Sequence, residues 1–529
     1  MGTNALKAPA LRIMFFSGLV AGAISLMPAV GFGDSSDSVD ALKTDVDVSG
    51  PFLQRLADQN KGDWGDQWHG RKNPIRCGEP EITHTLQQPN VLFMNCTPDA
   101  TLSYQTPQPV PYFQWTYTDP LTTNIATPCF LFRSDDGGNR WKTVDPNPMR
   151  PDLGYLCADA MAEHGPNGEL YLAADIFHSP PNAPVPIYVT PPLLPLPMQP
   201  LGIGFTRSLD GGRTWSTPIF IPTAIDGPVF TVDHSTGVLY EASSCVNFNL
   251  TTGIGDYGCT PTARNLAVST DRGQTWLPAV EIATTNPPTT TITPGHLHNI
   301  APLGTSRNGL SAALGVLGAV GASGPGAVVF GYSTDNGATF TQHPIPLGTA
   351  IPCAAPQPEV AADPAARGTF AVDIICVPSA PTVRVFVTHD FGVTWTETAD
   401  LAVVPPPDFQ GTASPYTVNR PWINYSPTGV LGVVWREDYG PTQQPFGLAA
   451  PVGERLLAQD VFIALSTDGG TTFGSPIRVN TATSPGGDPR QIAIDDDSHI
   501  LLDQQFAYVG WGDWRSGEME IWFRKVDIH

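Results

Sequence analysis

SDDGGNRW (Ser134 to Trp141), SLDGGRTW (Ser208 to Trp215), STDRGQTW (Ser269 to Trp276), STDNGATF (Ser333 to Phe340), THDFGVTW (Thr388 to Trp395) and STDGGTTF (Ser466 to Phe473) are six copies of one octet, Ser/Thr-x-Asp-x-Gly-x-x-aromatic. Each follows an apolar run, such as Cys129 to Phe132 or Val461 to Leu465. The chemistry is that of a strand, a tight turn and a second strand. The Asp carboxylate accepts backbone N–H bonds inside the turn, and Gly tolerates positive φ. The aromatic is then free to pack between sheets.

Successive octets begin 55 to 78 residues apart. Periods of that length, each holding several short strands, indicate propeller blades rather than a solenoid. A second pattern recurs inside the periods. Examples are Pro228 to Asp233 followed by Gly237 to Tyr240, and Pro421 to Tyr425 followed by Gly429 to Trp435. These read as the first two strands of a blade, with the octet joining the third and fourth. A seventh copy of the opening strands follows the last octet: Pro489 to Asp495, Phe506 to Trp511 and Glu520 to Arg524. The expected fold is all-β, a β-propeller of four-stranded antiparallel blades, seven in number with six as the alternative. The seventh blade needs its outer strand from the N-terminal segment, with Pro51 to Gln67 the expected donor.

The octet resembles the Asp box of the sialidase and BNR-repeat superfamily, from about Arg76 to the C-terminus. The resemblance implies a propeller and a carbohydrate or glycoconjugate as partner. It implies activity only weakly, because non-catalytic propellers carry the same box. The box residues themselves are structural in that family and lie away from the active site.

Charged residues make up 14% of the 529, and Gly and Pro number 52 and 55, which suits short strands joined by many turns. The net charge of -22 argues against nucleic acid as a partner. Lys7 and Arg12, the apolar Ile13 to Met27 and Ala29-Val30-Gly31 read as a secretory signal over residues 1–33. An uncleaved anchor is the alternative. Residues 34–75 form an N-terminal segment and 76–529 the propeller; no span of a bilayer is expected after signal removal. The expected location is extracellular or periplasmic, and the eight cysteines fit such an oxidising compartment. They fall in neighbouring pairs, Cys77 and Cys96, Cys129 and Cys157, Cys245 and Cys259, Cys353 and Cys376, and neighbour pairing is expected. No CxxC spacing occurs, so no zinc module, other metal or cofactor is expected.

Antiparallel topology puts the octets on one face and the approaches to each first strand on the other. Three arginines occupy that approach, Arg76, Arg420 and Arg490, on what become consecutive blades one, six and seven. A planar guanidinium binds a carboxylate through two bonds. The family's arginine triad holds the sialic-acid carboxylate, so the resemblance implies that role here. The chain departs from the family's Phe/Tyr-Arg-Ile-Pro string, reading Pro74-Ile75-Arg76-Cys77. The plainer alternative is that each arginine pairs with Glu79, Glu81 or Asp488.

The family's mechanism needs a tyrosine nucleophile, a carboxylate base and an acid. Tyr416 and Tyr439 are the candidate nucleophiles, Glu437 the base, and Asp99 or Asp159 the acid. Arg515 and Trp514 lie in a loop on the same face, suited to extend the arginine cluster and to stack on a sugar ring. His296 and His298 precede blade four without a third ligand, and Asp495 to Asp497 reads as an acidic hairpin turn in blade seven. The proline-packed Ser179 to Pro200 reads as an extended surface loop. A sialidase-like hydrolase is the first functional expectation, a non-catalytic glycan- or protein-binding propeller the second. A lyase or xyloglucan-type hydrolase would need a groove with paired carboxylates.

Overall fold

A computed structural model describes residues 44–59, 75–85, 87–100, 129–149, 155–178, 199–221, 226–244, 248–249, 254–255, 264–282, 300–303, 313–320, 327–347, 355–377, 382–401, 417–439, 458–484, 498–516 and 519–528. Their sheets follow one another along the chain. Blade one pairs Ile75–Gly78 and Ile82–Thr85 with Gln88–Ala100, then Phe130–Ser134 and Lys142–Thr143. Its first strand is split in two, so this sheet counts five strands. Blade two runs Tyr155–His164, Leu170–His178, Gln199–Ser208, Ile219–Phe220. Blade three runs Asp226–Val232, Leu239–Ser244, Arg264–Ser269, Val280–Ile282. Blade four runs Ile300–Leu303, Ala313–Val320, Ala327–Ser333, Thr341–Ile345. Blade five runs Ala355–Ala362, Phe370–Val377, Val383–Thr388, Thr396–Leu401. Blade six runs Thr417–Tyr425, Leu431–Tyr439, Ala458–Ser466, Ile477–Arg478. Blade seven runs Ser498–Leu502, Phe506–Asp513, Glu520–Asp527, and takes Val46–Asp47 as its fourth strand. All the pairings are antiparallel, and each first strand lies against the next until that of blade seven meets that of blade one. Among the described residues no helix is long and apolar enough to cross a membrane.

Every octet sits between the third and fourth strands of its blade and closes in the same way. The Ser or Thr hydroxyl donates to the Asp Oδ1 at 2.7–2.9 Å, and the Gly N–H donates to that hydroxyl at 2.8–2.9 Å. At Asp468, bonds from the Thr472 hydroxyl and N–H and from the Ser466 hydroxyl hold the carboxyl down at about 2. The glycines Gly138, Gly212, Gly273, Gly337, Gly392 and Gly470 all have φ between 73° and 96°. Gly138, Gly212, Gly273, Gly392 and Gly470 also touch the preceding blade. A Cβ on Gly212 would lie 2.5 Å from the Phe93 ring, and one on Gly273, Gly392 or Gly138 would overlap Phe205, Phe330 or Phe523. The octet aromatic packs edge-on against the same ring: Trp276 on Phe205 at 5.2 Å, Trp395 on Phe330 at 5.2 Å and Trp141 on Phe523 at 5.3 Å. Such pairs add about 0.5–1.5 kcal/mol each beyond the area they bury. The core is accordingly a set of clusters between neighbouring blades.

Three sequence expectations shift. The closing strand is Val46–Asp47, paired with Phe523 and Trp522. Pro51 to Gln59 lies instead in the helix Gly50–Gln59, which begins where Asp47 Oδ1 accepts the Gly50 N–H at 2.7 Å. The first strand of blade seven is Ser498–Leu502, not Pro489 to Asp495, and the hairpin that follows turns at Asp503 to Gln505. Asp495 to Asp497 therefore precede that strand and, like 485–497 as a whole, lie outside the described residues. Finally, Gln199 and Pro200 belong to a strand, at a register irregularity that accommodates the proline; 179–198 lie outside the described residues. The disulfides Cys77–Cys96 and Cys129–Cys157 are formed. Cys245, Cys259 and Cys353 lie outside the described residues.

Gly273→Ala combines a positive-φ penalty with a clash against Phe205 and should lower unfolding free energy by about 3 kcal/mol. The Phe205→Ala, Gly273→Ala double variant should lose less than the sum of the two singles, as measured by urea unfolding. Strict additivity would mean the two do not meet across the blade boundary.

Candidate functional site

The first strands line the axis, and four of them break at the same level. Irregularities fall at Glu79 to Glu81 in blade one, between Ala158 and Met161 in blade two, between Asp226 and Val229 in blade three, and between Asn419 and Trp422 in blade six. Two of the breaks carry a non-glycine residue at positive φ, Glu79 at 49° and Asp159 at 46°. Left-handed backbone at a residue other than Gly costs about 1–3 kcal/mol and persists only where surroundings enforce it. Here Asn95 enforces it. Its Nδ2 donates to Glu79 O at 3.2 Å and to Ala160 O, and its Oδ1 accepts the Glu81 N–H at 3.1 Å. Thr97 Oγ1 accepts the Ala160 N–H at 3.4 Å, and Glu81 Oε2 accepts the Ala162 N–H at 3.3 Å. The disulfides bracket the same level. Cys77 stands two residues before Glu79, and Cys157 two before Asp159. The two breaks are thus stapled together and each presents an acid.

In blade six the break is Arg420-Pro421, a proline where no ladder bond is needed. It delivers Trp422 to the axis. Trp422 packs against the cluster of blades two and three and also against that of blades six and seven, with His499 4.9 Å from its ring. His499 Nδ1 accepts the Ile82 N–H at 3.2 Å, and burial drives this imidazole down to about 3, so it is neutral. Trp422 therefore divides an upper mouth from a lower one on the octet face.

At the upper mouth the register sets Arg76 directly opposite Asp99. Asp159 occupies the blade-two break and Arg420 that of blade six. In the second strand of blade six the register sets Glu437 opposite Asp460 and Tyr439 opposite Ala458. Glu437 is 0% exposed and accepts a bond from Trp435 Nε1 at 3.2 Å. Tyr416 and Arg490 lie outside the described residues, as do His296 and His298.

Trp514 is 2% exposed and presents no ring to a sugar. Arg515 braces ring closure. It pairs with Asp45 and Asp513, each at 2.6 Å, and lies 4.4 Å over Trp522. Asp45 also accepts bonds from Thr481 N and Oγ1.

The lower mouth holds a group that the sequence reading missed, Glu163, His164 and His234, whose ligand atoms lie within 4.8 Å of one another. Glu163 is half-buried and His234 exposed, yet the surrounding protein atoms desolvate both. Burial pushes Glu163 up to about 8, His234 down to about 4 and His164 well below the usual imidazole range. The available signal was an acid-His pair closing the first strand in two successive blades, Glu163-His164 and Asp233-His234.

No family model and no curated protein matches this chain. Solved structures similar to it include an endosialidase of phage phi92, at 11% identity and TM-score 0.43, covering 86% of this chain and 68% of that one. A GH93 α-L-arabinofuranosidase of Fusarium graminearum is similar at 11% identity and TM-score 0.40, covering 86% and 93%. A Hadza microbial sialidase is similar at 16% identity and TM-score 0.35, covering 77% and 74%. At these scores the likenesses carry no conclusion about activity.

Asn95→Ala would strand three backbone groups at the two breaks. Each unsatisfied group costs about 1–3 kcal/mol, so a combined loss on the order of 3 kcal/mol is expected in thermal and urea unfolding. A change under about 0.5 kcal/mol would show that the breaks hold without it.

Proposed function

We propose that the chain is an exported glycoside hydrolase of the sialidase-like kind, acting at the upper mouth on an exposed glycan that carries a carboxylate. The observation that carries this reading is the shared level of the axial breaks. The breaks fall at Glu79, Asp159 and Arg420, and Arg76 stands in register with Asp99, which supports a mouth that carries both charges. A basic wall binds a carboxylate bidentately, and nearby acids supply the proton that a leaving oxygen needs.

In this proposal Arg76, Arg420 and Arg490 hold the substrate carboxylate. Tyr439 or Tyr416 attacks the anomeric carbon while Glu437 takes the phenol proton. Asp159 or Asp99 gives a proton to the departing oxygen, and water then cleaves the tyrosyl intermediate. A neutral nucleophile avoids repulsion from the substrate's own charge. Export is supported by the two disulfides, which persist in oxidising compartments. The burial of Glu437 against Trp435 favours a second reading, in which the same mouth binds a glycan without cleaving it.

The test is hydrolysis of a fluorogenic α-sialoside between about pH 4 and pH 8, beside calorimetric titration with sialyllactose. Turnover by the parent chain, with kcat/KM reduced at least about 100-fold in Arg420→Ala, is expected. Binding without turnover would replace the hydrolase with the second reading. Neither binding nor turnover would remove both.

A further inference from the structure

We propose that Glu163, His164 and His234 form a binding site for a divalent transition metal of the zinc class, at the lower mouth of the axis. The site is independent of the upper mouth, because Trp422 lies between them. His164 ends the first strand of blade two, and His234 follows the first strand of blade three, which lies against it. Packing of these neighbouring first strands brings the pair together, and their imidazoles stack at 4.2 Å. Glu163 Oε2 stands 3.9 Å from His164 Nδ1.

Two imidazoles and one carboxylate are the donor set that zinc takes with a position left for water. At bond lengths of about 2.1 Å a tetrahedral ion needs donors about 3.4 Å apart, and side-chain rotation closes that gap from the present spacing. Thr83 Oγ1 lies 3.0 Å from His164 Nδ1, an outer partner that orients the ring.

His84 adds a separate observation. It is 1% exposed, neither ring nitrogen has a hydrogen-bond partner among the described residues, and it stacks on His164 at 5.6 Å. A buried imidazole without a partner calls for an explanation, and a bound ion is the one that its neighbours supply. A cation here ties the first strands of blades two and three together, so it stabilises the ring. The three donors include no cysteine, so cysteine spacing carries no trace of the site.

The experiment uses the untagged full chain, stripped with a chelator and titrated with zinc chloride by calorimetry, with cobalt absorption as a second readout. One ion per chain is expected, with a raised Tm on saturation. Glu163→Gln, which keeps the side-chain shape, and His234→Ala, at a solvent-touching position, should each weaken the dissociation constant at least about 100-fold. His343→Ala, in the fourth strand of blade four, should leave it unchanged. If the His164→Ala protein fails to fold, those two variants still decide. Absence of stoichiometric zinc binding, or equal affinity in the parent and both variants, would overturn the proposal.

Discussion

The structure depends on a contact between an octet glycine and a side chain of the preceding blade, a ring at Gly138, Gly212, Gly273 and Gly392 and Val387 at Gly470. The octet's Gly has no Cβ and adopts a left-handed φ, so its turn lies flush on a side chain of the preceding blade. The octet's own aromatic then meets that side chain edge-on. The hydroxyl–carboxylate bonds within the turn set where glycine and aromatic stand, which explains why the whole octet repeats rather than the glycine alone. The same contact joins blade one to blade seven, through Gly138, Trp141 and Phe523. No octet follows the last blade, yet its Phe523 receives the octet of the first. Closure therefore uses the interaction that builds the rest of the ring.

Packing of neighbouring blades also sets the chemistry. The breaks in the first strands of blades one and two come to one level, where Asn95 and two disulfides hold them. Trp422, aimed inward by the Arg420-Pro421 break, reaches the cluster of blades two and three as well as that of blades six and seven. Neither mouth exists in any single blade. The Asp45–Arg515–Asp513 bridge belongs to this account as a clasp, since it ties the N-terminal segment to blade seven. Breaking one partner of such a shielded pair costs more than the pair itself contributes.

Much of this was legible in the residues. The octet carries its own turn chemistry and period, so blade order and the face of the turns could be read directly, and two disulfides match the expected neighbour pairing. Ring closure was legible as a need, but its donor was misplaced. A two-residue strand, Val46–Asp47, has no periodicity to detect, and proline at position 51 opens a helix as readily as it edges a sheet. In blade seven Gln491 to Ile494 alternates as a strand does, yet Ser498–Leu502 takes the place, because pairing with Phe506–Asp513 decides it. Arg515 and Trp514 looked accessible because a loop sequence does not reveal what folds over it. Glu163, His164 and His234 were harder to read as a set, since the acid-His pairs Glu163-His164 and Asp233-His234 meet only between blades.

The most direct test of ring closure is amide hydrogen exchange at Val46 to Val48 and at Glu520 to Phe523. The Val48 N–H donates to Ile521 O at 3.0 Å, and Val46 pairs with Phe523. If the N-terminal segment completes blade seven, these amides exchange only through openings within about 1 kcal/mol of global unfolding. Exchange at Val46 to Val48 at the rate of an unstructured peptide, while the other blades stay protected, would contradict the closed ring.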